Sequence, residues 1–167
     1  SPYEALSPQI DLPKVEREIL SFWQTQEIFH KSLAQRAAGE SWTFFEGPPT
    51  ANGMPGTHHI EARVFKDVFP RYHTMKGKHV LRKAGWDCHG LPVEIAVEKE
   101  LGFSGKGDIE KYGIAKFNEK CRESVQRHVS AFTEMTERMG FWVDFDEAYW
   151  TMSNEYIESV WWSLAQI

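Results

Sequence analysis

The chain has 167 residues, 41% hydrophobic and 26% charged, which suits one globular domain with a real core and excludes intrinsic disorder. Lys and Arg number 19 against 24 Asp and Glu, and the formal net charge of -5 argues against a freestanding high-affinity nucleic-acid binder. No run of about 18 apolar residues exists to span a bilayer, and no signal peptide opens the chain, so a cytoplasmic location is expected.

Ser1 to Pro13 holds three prolines and reads as an extended arm laid over the body. Lys14 begins a helix in which Val15, Ile19, Phe22 and Trp23, continued by Ile28 and Phe29, form one apolar stripe, so residues 1–40 read as an N-terminal arm and helix. The polar stretch from Gln35 to Ser41 leads into a first strand, Trp42 to Phe45, whose aromatic and β-branched residues suit a half-buried pleat. Pro48, Pro49, Gly53, Pro55 and Gly56 then forbid a regular element. From His58 onward Ile60, Val64, Val68 and Tyr72 recur every four positions, with Phe65 and Phe69 beside them, and predict a helix that must kink or loosen near Pro70 and stop at Gly77.

His79 to Arg82 reads as a second strand. A helical crossover between the two strands implies parallel pairing, with a ligand bound at their carboxyl ends. The loop there reads AGWDCHGLPVE from Ala84 to Glu94, and a helix follows to about Leu101. After a glycine-rich stretch, Asp108 is expected to cap a longer helix with Phe117, Cys121, Val125, Phe132, Met135 and Met139 inward and Gly140 at its end. A last amphipathic helix carries Ile157, Val160, Trp161 and Leu164, and the pair Trp161 and Trp162 reads as core. That helix has no glycine stop and the chain opens on Ser1 instead of Met, so a piece of a longer protein is expected. Cys88 and Cys121 lack the C-x-x-C spacing of a zinc or redox site.

The chemistry concentrates in EGPPTANGMPGTHHIEAR, Glu46 to Arg63, where a strand passes through a proline-glycine turn into a helix. The first amides of a helix lack internal partners and its dipole is positive there, so an anion is welcome. Gly53 and Gly56 allow a ligand close to the backbone, and His58 and His59 on the first turn can donate to a phosphate oxygen. Neither a Walker loop nor a G-x-G-x-x-G fingerprint is present. Asp87 reads either as the cap of the next helix or as a carboxylate able to hold an ammonium group, and His89 either as a structural histidine or as its neighbour in the site. A metal centre from His58, His59, Asp87 and His89 is awkward, since adjacent helical residues point about 100° apart. The Lys and Arg residues between Arg63 and Lys83 either solvate a helix and loop or steer a polyanion.

At these loops the chain resembles the class I aminoacyl-tRNA synthetases, within them the isoleucine-specific branch. FEGPPTANGMP, KDVFPRYHTMKG and KAGWDCHGLPVE follow that pattern in order and spacing, and the likeness runs from about Leu12 through Ile167. It implies an α/β fold, a Rossmann-type parallel sheet with flanking helices, of which residues 41–167 are the first half, ending before an editing insertion. It also implies a monomeric parent without a membrane partner that activates L-isoleucine with ATP and Mg2+ and charges tRNA(Ile), which binds through other domains. Zinc is implied only outside this chain.

Carried over by motif, Gly47, Pro48, Pro49, Asn52, Gly53, Pro55, Gly56, Thr57, His58 and His59 form the ATP and adenylate surface. Pro48, Asp87 and His89 form the amino-acid side, and His59 with His58 faces the reacting phosphates. The family's signature there is HIGH, whereas this chain has Gly56, Thr57, His58 and His59. Either His58 supplies the missing function from a shifted position, or Gly56 and His58 are a compensated pair, which the retained Pro48, Gly53, His59 and Asp87 favour. The lysine-rich KMSKS loop and the editing and anticodon regions are not in the sequence, so weak or no activity is expected of the segment alone. A non-catalytic nucleotide- or RNA-binding fragment and a metal-dependent hydrolase are the other readings.

Overall fold

The computed structural model describes residues 9–167, so the expected arm falls largely outside the described residues. Helix α1 spans Leu12–Thr25, opening earlier than Lys14 because the Asp11 carboxylate accepts from the Lys14 amide at 3.1 Å and Pro13 fits the first turn. The expected single stripe is cut at Glu27, whose left-handed φ of 49° separates α2, Ile28–Ala34. Both helices dock through aromatic rings, Trp23 and Phe29 lying 5.1 and 5.9 Å from Trp142, over which the Arg71 guanidinium stacks at 4.1 Å. Val15, Ile19 and Phe22 of the stripe stay exposed.

The sheet is parallel, as expected, but its strands are displaced from the predicted ones. β1 is Lys83–Trp86, not His79–Arg82, and it pairs with β2, Asp144–Trp150. No strand is expected at β2 from the sequence, because Asp144, Asp146 and Glu147 break its apolar alternation; it forms on β1, with Asp144 N and Thr151 N donating to the Arg82 and Trp86 carbonyls. The predicted strand Trp42–Phe45 makes no ladder. Its segment meets the β1 side at two isolated parallel bridges, Ser41 with His79 and Thr50 with Asp87. It carries one residue more between the bridges than its neighbour does, and Pro48 and Pro49 have no amide to donate.

Helix α3, Thr57–Met75, continues through the buried Pro70 and ends in a Schellman motif, with Gly77 N and Lys78 N donating to the Thr74 and His73 carbonyls. Its facing is the reverse of what its apolar pattern suggests. Arg63, Pro70 and Thr74 are buried, while Val64, Phe65, Val68, Phe69 and Tyr72 are exposed. Arg63 donates to the Thr136 hydroxyl at 2.8 Å, and the fully enclosed Arg82, its pKa lowered by burial to about 10, donates to the Thr74 hydroxyl at 2.6 Å. These two arginines therefore neither solvate a face nor steer a polyanion.

Helix α4 is Leu91–Leu101. Asp108 does not cap the long helix: it lies in a short α5, Lys106–Tyr112, and accepts from the amide and hydroxyl of Ser104. The long helix α6, Ile114–Arg138, starts after Gly113 and buries Phe117, Val125 and Phe132 as predicted. Ala51, Trp86, Cys88, Val93, Val125 and Phe132 form the core cluster, with Cys121 and Met135 packed against it. In α7, Asn154–Gln166, no residue is buried, so Trp161 and Trp162 are exposed, contrary to their core reading.

One ion pair holds the turn before α3. Glu46, its side chain 3% exposed, pairs through Oε1 with Lys66 Nζ, which also donates to the Gly47 carbonyl at 2.6 Å. The Tyr149 hydroxyl donates to the Glu46 carbonyl at 2.7 Å, and its ring lies so close over Gly85 that a Cβ there would come within 2.4 Å. Removing Lys66 leaves a buried, unpaired carboxylate. Lys66→Met is therefore expected to destabilise the protein by about 3–5 kcal/mol, and adding Glu46→Gln should recover much of that loss, both read from urea denaturation midpoints.

Candidate functional site

Gly56 precedes α3 in an extended conformation, and its amide donates to His59 Nδ1 at 3.0 Å while its carbonyl accepts from His59 N. An amide can only donate, so Nδ1 carries no proton and the neutral ring holds its proton on Nε2. Burial, then the nearby His58 and Arg63, lower the His59 pKa, and an amide donated to Nδ1 favours the same neutral form. The ring rests edge-on against Phe132 at 4.8 Å. The first turn of α3 thus offers a fixed N–H donor beside unpaired helical amides.

His58 is exposed, and its ring centre lies 3.9 Å from that of His59. A Cβ on Gly56 would come within 3.0 Å of both Cε1 and Nδ1 of His58, tighter than ordinary contact. The space beside Gly56 is occupied by the His58 imidazole. Gly53, by contrast, has open space where a Cβ would stand.

The Asp87 loop meets the proline turn at the end of β1. Asp87 N donates to the Pro49 carbonyl at 3.0 Å, and the Thr50 hydroxyl donates to Asp87 Oδ2 at 2.6 Å. Asp87 does not cap α4, whose N-cap is Gly90 without a side-chain bond. His89 donates from Nε2 to the Thr151 carbonyl at 3.1 Å, and Cys88 N to the Thr151 hydroxyl at 2.9 Å, which ties the loop to the end of β2. Burial pushes the Cys88 thiol pKa up, keeping it an inert core group.

Among the predicted residues, Pro48, Pro49, Asn52, Gly53, Pro55 and His59 are half-buried, while Gly47, Thr57 and His58 are exposed. Ala51 between them is wholly buried and anchors the turn in the core. Phe132 links the two halves, touching His59 on one side and Trp86, the residue before Asp87, at 6.4 Å on the other. With Met54 at 74% exposure, the face is open. No three His, Cys, Asp or Glu side chains converge as a metal shell among the described residues.

The sequence reading missed Thr50, Glu46, Lys66 and Tyr149. A signal for Lys66 was present in the spacing of His59, Arg63, Lys66, Pro70 and Thr74, a second stripe at helical period beside the apolar one. Tyr149 has no such signal, because its role depends on the β1–β2 pairing.

Comparison with known proteins supplies the context. The profile of the tRNA synthetases class I (I, L, M and V) matches residues 18–167. The isoleucine–tRNA ligases of Cutibacterium acnes and Thermobifida fusca are 69% and 67% identical over 99% of this chain, and that of Thermus thermophilus 52% over 94%. The chain spans 15 to 16% of the length of these relatives. A crystal structure of a ternary complex of Agrobacterium radiobacter K84 agnB2 LeuRS, tRNA and LeuAMS superposes with a TM-score of 0.60 at 22% identity, covering 95% of this chain and 18% of that one, which supports the fold. With its parallel strands, its helix opening on GTHH and a family profile that covers nearly all of its residues, the chain belongs to the class I tRNA synthetases of the I, L, M and V group.

Proposed function

We propose that this chain forms the first half, over residues 41–167, of the Rossmann-type catalytic domain of an enzyme that activates L-isoleucine with ATP and passes it to tRNA(Ile). The observation that carries this reading is the Thr50–Asp87 contact, which sets an ionisable carboxylate beside the proline turn that leads into the α3 N-terminus. The identity of 52 to 69% to isoleucine–tRNA ligases favours isoleucine over the other substrates of the group.

In the proposed reaction Asp87 accepts hydrogen bonds from the substrate ammonium, and Gly47 to Pro49 line the adenylate. A carboxylate oxygen of isoleucine forms a bond to the α-phosphorus of ATP as the bond to the pyrophosphate oxygen breaks, with no covalent enzyme intermediate. ATP brings Mg2+, which offsets charge on its phosphates. His59 Nε2–H and the free amides of α3 donate to phosphate oxygens as negative charge shifts toward the leaving group, so positioning and charge stabilisation do the work. His89, whose Nε2 donates to the Thr151 carbonyl, supports the Asp87 loop by tying it to the end of β2.

GTHH in place of HIGH fits a compensated pair, since the His58 ring fills the space a side chain at Gly56 would need. Gly56→His with His58 retained is expected to lower isoleucine-dependent ATP–pyrophosphate exchange by the parent enzyme about 5- to 150-fold, the factor that corresponds to the roughly 1–3 kcal/mol of an overpacked site. His58→Gly added to it should restore part of the rate. An undiminished rate in the single variant would count against compensation.

The neutral His59 can be tested directly. In an NMR titration of the histidine-labelled chain its midpoint should fall below the usual value of about 6.5, and His58→Asn should raise it by removing a neighbouring charge. Because the folded pKa is the lower one, the unfolded chain takes up the proton first. This histidine's contribution to stability is then complete above about pH 6.5 and lost as pH falls through the folded midpoint.

A further inference from the structure

We propose that Thr50 is a positioning residue that aims Asp87 at the substrate ammonium and so sets the affinity for the amino acid; this rests on the reading of Asp87 above. The argument begins in the backbone. Thr50 and Asp87 are partners in a parallel bridge closed by Asp87 N donating to the Pro49 carbonyl, so their side chains leave the same face of the paired segments. Thr50 is itself held in place, because the next residue, Ala51, is fully buried in the core and the two preceding residues are prolines.

The hydroxyl of Thr50 has one proton, and at 2.6 Å its bond to Asp87 Oδ2 lies in the range of charge-assisted O–H···O⁻ bonds. That bond fixes the rotation of the carboxylate. Oδ1 has no protein donor among the described residues, so one oxygen is committed to the turn and the other is left for a ligand donor. An ammonium suits it, being a compact cation with three donors. A β-branched side chain, stiff at χ1, holds the hydroxyl in this direction better than serine would. Deleting the hydroxyl frees Asp87 to rotate and leaves the isosteric methyl of valine against Oδ2.

Among the described residues the Thr50 hydroxyl bonds only Asp87, on the amino-acid side, while the adenylate side of the turn is held through backbone that a change of this side chain leaves in place, and that separates positioning from simple support of the loop. In the full-length enzyme, Thr50→Val is expected to raise the KM for isoleucine about tenfold in the exchange assay and to leave the KM for ATP within about twofold. Thr50→Ser should stay within about threefold of the parent for both. The deamino analogue of isoleucine, 3-methylpentanoate, has no ammonium for Asp87 to hold, so it should inhibit the parent and Thr50→Val equally. Should the valine variant fail to fold, Thr50→Ala removes the same donor and is read the same way.

Asp87→Asn is the reference variant, expected to raise the isoleucine KM more than Thr50→Val does. If Asp87→Asn leaves that KM unchanged, the assignment of Asp87 is wrong and the Thr50 proposal falls with it. If Asp87→Asn raises it and Thr50→Val does not, only the Thr50 proposal is overturned. A Thr50→Val variant that raises both KM values together, or weakens inhibition by the deamino analogue as well, would reduce Thr50 to a structural pin and also overturn it.

Discussion

The pairing of Glu46 with Lys66 is the constraint on which the rest of the site depends. A turn containing Pro48, Pro49 and Pro55 has few amides with which to bind itself to a sheet, so side chains must hold it. Lys66 reaches back two turns of α3 from His59 and fastens both the Glu46 carboxylate and the Gly47 carbonyl to the helix that follows. Tyr149 fastens the Glu46 carbonyl to β2, and Asp87 N fastens the Pro49 carbonyl to the end of β1. Each fastening comes from a different element, so the turn is placed relative to the sheet and the helix at once. The second carboxylate oxygen of Glu46 is buried without a donor among the described residues, which makes the pair expensive to break.

On the proposed reading, the same geometry accommodates GTHH on this backbone. The role of the last histidine is fixed by what its Nδ1 receives, and Gly56 supplies that through its amide, whatever side chain the position carries in other sequences. What a side chain at Gly56 would change is the room left for the His58 ring. Backbone therefore sets the donor at His59, and side-chain volume links Gly56 to His58. The two effects are separable because one concerns a proton and the other space.

Legibility in the sequence followed the same division between local and long-range causes. The helix from His58, the helix ending at Leu101, the inward face of α6 and the glycine stop at Gly77 were all readable, since each rests on contacts a few residues apart. The strands were misplaced because partners far along the chain select them. Trp42 to Phe45 has strand-like residues but no ladder, while the acidic β2 has a ladder without the expected pattern. Within the site, His59 and Asp87 were visible by residue type and neighbourhood, but Thr50 resembled any turn threonine until the Asp87 loop was beside it. The apolar period of α3 identified a helix correctly and its buried face wrongly, because Arg63 and Thr74 find buried hydroxyl and guanidinium partners there.

That inverted facing bears on what the described unit can do by itself. Stabilising charge on a phosphate is strongest where water is excluded, since donors act with more effect in a low-dielectric site. Here the donors are in place, yet His58 and Thr57 stand open to solvent and Met54 beside them is 74% exposed. Phe65 and Phe69 on α3 and Trp161 and Trp162 on α7 are uncovered as well, at 59 to 67% exposure. On the proposed reading, the described residues build the part of the chemistry that depends on aim: a neutral histidine with a fixed tautomer and a carboxylate with one oxygen held. The part that depends on enclosure needs surfaces they do not supply. On the proposed reading, the segment on its own should hold its substrates in the right direction and still turn them over poorly, because orientation is local to these loops while exclusion of water is not.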